Sequence, residues 1–171
     1  MNADPLTTSS PTMTDDFQHT TLGRTGLAVH RLGLSASYHP GRKALQLALD
    51  RGVNLFFGYG FDRQMTSFLR EVLRGDRKRF VLVTGAYNLK FGHPNLARTL
   101  EKRLRQFGAD YVDVFLFLGV LNEKEFPAAT REELCRLKQD GRVRFVGMSC
   151  HDREFAGKLA AEGALDVLMV R

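Results

Sequence analysis

The polar side chains best placed for chemistry stand where apolar runs stop. Ser149, Cys150 and His151 follow the run Val143–Met148. The ends of buried strands in α/β proteins are where ligands are held. A thiol beside an imidazole is the simplest activated nucleophile. Sequence neighbours seldom align for proton transfer, however, so Cys150 and His151 do not define a nucleophile by themselves. Ser149 has a plain alternative role as the cap of a helix beginning near Asp152, and Asp152 is an equally good cap. Thr84, Tyr87 and Asn88 follow another apolar run and read as lining without chemistry. His39 and His93 each precede a proline in a loop and read as exposed.

The elements that must position these residues follow from periodicity. Thr20–Val29 holds two short extended pieces around Gly23-Arg24-Thr25-Gly26, a hairpin with turn chemistry. A first strand runs through Leu32 and Leu34. A helix over Gly41–Arg51 carries Leu45, Ala48 and Leu49 on one side. Strand Val53–Phe57 leads to a helix over Arg63–Arg74, where Met65, Phe68, Leu69, Val72 and Leu73 form an apolar stripe. Strand Phe80–Thr84 follows, then a helix opened by Pro94 with Leu96, Leu100, Leu104 and Phe107 on its buried side. Strand Tyr111–Leu118 precedes a helix from Glu123 or Pro127 to Asp140, ended by Gly141. Strand Val143–Met148, a helix over Asp152–Glu162 and strand Asp166–Arg171 complete the chain. Repeated βα units with strands apolar on both faces imply a parallel sheet.

Composition narrows the class. A length of 171 residues, 43% hydrophobic and 26% charged, fits one soluble globular domain. No apolar run approaches the ~20 residues of a membrane span, so no membrane partner is expected. Residues 1–18 are rich in Ser, Thr, Pro and Asp and read as a disordered tail, which leaves 19–171 as the folded unit. Cys135 and Cys150 form neither a disulfide framework nor a metal box, so a reduced, cytoplasmic protein without a metal is expected. The net charge of +6 raises the question of nucleic acid. Most of the basic residues (Arg70, Arg74, Arg77, Lys78, Arg79, Arg98, Lys102, Arg103 and Arg105) fall on the polar sides of predicted helices and read instead as solvated faces. A phosphate-binding surface is the alternative.

Two architectures suit such a chain: an open doubly wound sheet and a (β/α)8 barrel. A dinucleotide-binding open sheet should carry G-x-G-x-x-G after its first strand. SASYHPG stands there instead, and Gly58-Tyr59-Gly60 after the second strand lacks the third glycine. Four stretches decide for the barrel, because in this order and spacing they resemble the aldo-keto reductase family. LGRTGLAVHRLGL (Leu22–Leu34) is similar to the hairpin that closes the bottom of that family's barrel, and RGVNLFF (Arg51–Phe57) to its second strand. LARTLEKRLRQFGADYVDVFLF (Leu96–Phe117) is similar to its third helix and fourth strand, and CRLKQDGRVRFVGMS (Cys135–Ser149) to its fourth helix and fifth strand. The fold implied is an incomplete TIM barrel of about six parallel strands and five helices behind a β-hairpin.

The resemblance also implies an NADP(H)-dependent carbonyl oxidoreductase with a small carbonyl substrate. In that family a tyrosine protonates the carbonyl oxygen as hydride arrives. A lysine lowers the tyrosine pKa, an aspartate orders the lysine, and a histidine orients the carbonyl. A phenol with a pKa near 10 needs such a cation to work near neutrality. Here the tyrosine position falls on Tyr59, the aspartate on Phe57, the lysine on Gly85 and the histidine on Leu118. The serine–asparagine pair that holds the nicotinamide amide falls on Ser149 and Cys150, and a sixth-strand glutamine on Met169. The expectation is a catalytically degenerate relative. The alternatives are a non-catalytic binding or scaffold module and an inactive fragment of a longer protein. Six strands do not close a barrel that needs eight βα units, so self-association through exposed barrel edges is expected.

Overall fold

A computed structural model describes residues 17–88 and 94–170. Most of the expected tail, residues 1–16, lies outside the described residues, as do His93 and Arg171. The chain opens with an antiparallel hairpin, β1 (His19–Thr21) and β2 (Ala28–His30). Then β3 (Leu34–Ser35), α1 (Gly41–Asp50), β4 (Leu55–Phe57), α2 (Arg63–Val72) and β5 (Val81–Tyr87) follow. The series continues through α3 (Leu96–Phe107), β6 (Val112–Val120), α4 (Ala128–Gln139), β7 (Val143–Cys150), α5 (Arg153–Glu162) and β8 (Val167–Val170).

Strands β3 to β8 form one sheet in sequential order, every pair parallel. A doubly wound sheet would reverse its strand order at a switch point. Nothing reverses here, so each helix returns over the same face of the sheet. The other face has its own core. Leu27 and Val29 of the hairpin pack there with Val81, Val83, Val114, Leu116 and Leu118, against Phe57, Phe145 and Val167. No helix residue belongs to that cluster. The sheet is therefore curled around an interior plugged from below by the hairpin.

The cleft of about 440 Å³ on that face measures the curl. Leu34 and Ser35 from the first strand line it together with Met169 and Val170 from the sixth. In a flat sheet, five spacings of about 4.8 Å would hold those strands roughly 24 Å apart. The architecture is the incomplete TIM barrel that the strand pattern implies, with six parallel strands and five α-helices.

Local chemistry sets the element ends. Asp62 caps α2 through Met65 N (2.6 Å), and Asp152 caps α5 through Phe155 N (3.0 Å). Asp152, not Ser149, therefore takes the capping role. Helix α3 begins at Leu96 because Asn95 accepts from Arg98 N (2.7 Å), which leaves Pro94 outside the first turn. Around Glu123 the chain makes a 3₁₀ turn, Glu123–Glu125, and α4 starts only after Pro127. The first barrel strand is shorter than expected, and Leu32 lies exposed before it.

One buried carboxylate joins three strands at the foot of the sheet. Asp113 on β6 is 1% exposed. It accepts from Leu82 N on β5 (2.9 Å), from Arg77 (2.8 Å) and from Arg144 on β7 (2.8 Å). Arg77 also donates to the Tyr111 and Phe80 carbonyls and lies 3.9 Å over the Tyr111 ring. Arg77 is thus no solvated helix residue, contrary to the reading from its neighbours in sequence. Removing one partner of such a group leaves the others unpaired and is costly. Asp113→Ala is expected to lower unfolding stability by about 3 kcal/mol, and Asp113→Asn by less, in urea denaturation. Equal midpoints for wild type and Asp113→Ala would refute the structural role.

Candidate functional site

Parity along the strands decides which side chains reach the barrel mouth, because successive residues of a strand face opposite ways. Phe57, Val83, Leu116, Leu118 and Phe145 belong to the interior core. Gly85 and Ser149 share their parity. Thr84, Phe117, Met148 and Cys150 have the opposite parity, and all but Thr84 join the core between sheet and helices. Thr84 is fully buried, and its hydroxyl has no hydrogen-bond partner. It does not line the mouth, because its neighbours Val83 and Gly85 take that face.

The three positions matched to aspartate, lysine and histidine converge on the interior rim as Phe57, Gly85 and Leu118. Strands β5 and β6 close over the middle one. A Cβ on Gly85 would collide with the carbonyl oxygen of Leu116 and stand 3.0 Å from Leu118 Cγ. No side chain fits there without parting the strands. The rim holds neither a carboxylate nor a cation at these positions.

Tyr59 lies half-buried just beyond β4 in an aromatic cluster. Its ring centroid is 5.8 Å from Phe57, 5.8 Å from Phe61 and 6.1 Å from Tyr87. Burial, reinforced by Tyr59, pushes the Tyr87 phenol above its ordinary pKa, despite the opposing charge of Arg103. Asn88 donates to Glu125 Oε2 (2.9 Å). His39 is exposed as expected, and its Nδ1 contacts Asp62 Oδ2 at 2.6 Å.

Ser149 and Cys150 are adjacent in sequence and separated by the sheet. The Ser149 hydroxyl accepts from Gly119 N (2.8 Å) and keeps its own proton free to donate. Gly119 adopts a left-handed φ of 82° at an irregularity in β6 that aims this N–H at Ser149. Cys150 is 1% exposed, and its thiol donates to the Asp152 carbonyl (3.2 Å). Burial pushes that thiol up in pKa, the opposite of what a nucleophile needs. His151 is exposed. The structure brings Tyr59 and Ser149 to the rim and puts Cys150 beneath α5.

One residue of interest has no motif in the sequence. Arg103 sits on α3 among residues of helical polar spacing, yet it is only 4% exposed. Its Nη1 donates to Gln106 Oε1 (2.9 Å), its guanidinium lies 5.2 Å from the Phe61 centroid, and its Nε has no partner. Burial draws its pKa below the usual arginine value.

Comparison with known proteins agrees with the fold. No family model matches the chain. An aldo-keto reductase of Mycobacterium sp. (strain KMS) is 32% identical over 79 residues, 46% of this chain. That match spans only 29% of the relative's length. A solved Pseudomonas aeruginosa structure assigned to the aldo-keto reductases superposes with a TM-score of 0.70 at 27% identity, over 89% of this chain and 67% of its own. An aldo-keto reductase from Klebsiella pneumoniae, solved with NADPH, has a TM-score of 0.66 at 24% identity, over 84% of this chain and 54% of its own. The chain is similar to aldo-keto reductases in sequence over part of its length and in fold over most of it.

Closure at Gly85 is directly testable. Gly85→Ala is expected to cost roughly 1–3 kcal/mol through overpacking, read as a lowered denaturation midpoint. Gly85→Lys is expected to unfold the protein or leave it without carbonyl reduction. A stable Gly85→Lys variant that gains reductase activity would show that the strands part easily.

Proposed function

We propose that this chain is a catalytically degenerate relative of the NADP(H)-dependent carbonyl oxidoreductases, one that holds a ligand at its barrel mouth without reducing it. The observation that carries the reading is the rim trio Phe57, Gly85 and Leu118, with no room for a side chain at the middle position. Proton donation by Tyr59 needs a neighbouring cation. The position matched to lysine offers none, so Tyr59 serves as an edge contact for the ligand.

NADP(H) is the proposed cofactor, in keeping with the Klebsiella pneumoniae structure's bound NADPH. Ser149 fits a contact to the nicotinamide amide, since its hydroxyl proton is free and its parity is that of the interior. The Cys150 side chain does not fit, because it is buried on the helix side with its thiol engaged. When bound, NADPH supplies a hydride, and the rim supplies no activated acid to accompany it. The free thiols Cys135 and Cys150 suit a reducing, cytoplasmic compartment. No described helix is long and apolar enough to cross a membrane. The small carbonyl substrates of the intact machinery are replaced in this reading by a bound, unreacted ligand.

NADPH fluorescence tests the proposal. Saturable quenching is expected, weakened by Ser149→Ala and unchanged by Tyr59→Phe, without oxidation of NADPH by aldehydes or ketones. Steady turnover that Tyr59→Phe abolishes would overturn it in favour of a working reductase.

A second reading is favoured by the two ends of the sheet. Met169 is 39% and Val170 48% exposed on β8, beside the cleft that opens onto β3. Exposed strand edges of this kind recruit further strands. We propose that two copies associate through these edges. Light scattering at micromolar concentration is expected to give a dimer that Met169→Lys converts to monomer, whereas a compact wild-type monomer at every concentration would remove this reading.

A further inference from the structure

A groove on the outer wall, between α2 and α3, has the chemistry of an anion site. Its volume is about 450 Å³, and it is lined by Gly60, Phe61, Arg63, Thr66, Ser67, Arg70 and Gln106. Arg63, Thr66, Ser67 and Arg70 share one face of α2, at i, i+3, i+4 and i+7. The two arginines are two turns apart, about 10.5 Å along the axis, so their side chains can converge over the two hydroxyls between them. Neither arginine has an ion-pair partner among the described residues. No carboxylate lines the groove.

A buried charge braces two of the lining residues, Gln106 and Phe61, from outside the groove's lining. Arg103 is buried, holds the Gln106 side chain in place and carries the unpartnered Nε. Gln106 in turn donates to the Gly60 carbonyl (3.3 Å), which fixes the upper wall. A Cβ on Gly60, whose φ is 76°, would collide with Gln106 Oε1, so the wall depends on glycine at that point. A buried guanidinium without a carboxylate is costly unless an anion approaches it. At the groove's upper end Phe61 is 68% exposed, with Arg103 against it and Tyr59 bracing it.

We propose that this groove binds a phosphate monoester attached to an aromatic ring, as in a nucleoside monophosphate. The phosphate dianion takes charge-assisted hydrogen bonds from Arg63 and Arg70 and further ones from the Thr66 and Ser67 hydroxyls. The ring lies on the open side of Phe61, where base–aromatic stacking contributes. The site is independent of any ligand at the barrel mouth.

Titration calorimetry with AMP, adenosine and inorganic phosphate tests the proposal on the full chain at low ionic strength. AMP is expected to bind at one site, more tightly than phosphate and much more tightly than adenosine. Arg63→Gln and Arg70→Gln should each weaken AMP about tenfold, as for the loss of a charge-assisted contact. Both residues are exposed, so near-ultraviolet circular dichroism should show an unchanged fold. Phe61→Ala should weaken AMP and leave phosphate unchanged. The proposal is overturned if AMP does not bind, if adenosine binds as well as AMP, or if the two arginine variants bind AMP like wild type. Since none of these changes touches Ser149, failure of the wild-type protein to bind AMP while NADPH quenching is intact counts against this groove alone.

Discussion

Helices that always return over the same side can cover only one face of a sheet. The rest of this structure follows from that constraint. Strands β3 to β8 pair in sequence order, so the uncovered face must bury itself by curling. Leu27 and Val29 of the hairpin close the bottom of the curl, and Val81, Val83, Val114, Leu116 and Leu118 fill it. The curvature brings β3 and β8 to one cleft, and Gly85 and Gly147 lie against neighbouring strands with no room for a Cβ.

Much of this was legible in the residues. The apolar stripes of α2 and α3, the β-branched and aromatic runs, and the glycines that end helices mark every barrel element in order. Four stretches carry the likeness to aldo-keto reductases, and that likeness is what singled out Phe57, Gly85 and Leu118, which the structure brings to one interior rim. What the sequence did not disclose depends on parity and on distant partners. Ser149 and Cys150 look like a pair in sequence, yet one register choice sends them to opposite sides of the sheet. Thr84 is hidden for the same reason. Arg77 and Arg103 look like surface residues because their partners lie elsewhere in the chain: Asp113 for the one, and Phe61 in the α2–α3 groove for the other.

The rim and the groove illustrate two ways in which a barrel can handle charge. At the rim, Phe57, Gly85 and Leu118 present apolar side chains and backbone. Between α2 and α3, arginines gather without acidic companions, and one of them is buried. Cationic character in this chain thus lies on its wall and foot, with Arg103 reaching the aromatic residues between wall and rim.

The two ends of the sheet are also fastened by different forces. At the foot, Asp113 grips Arg77, Arg144 and a strand amide. At the rim, the contacts among Phe57, Tyr59, Phe61 and Tyr87 are mostly ring against ring. Apolar association weakens in the cold, whereas a desolvated ionic knot does not share that dependence. Chilling is therefore expected to loosen the ring contacts of the upper lip more than the ionic knot at the base.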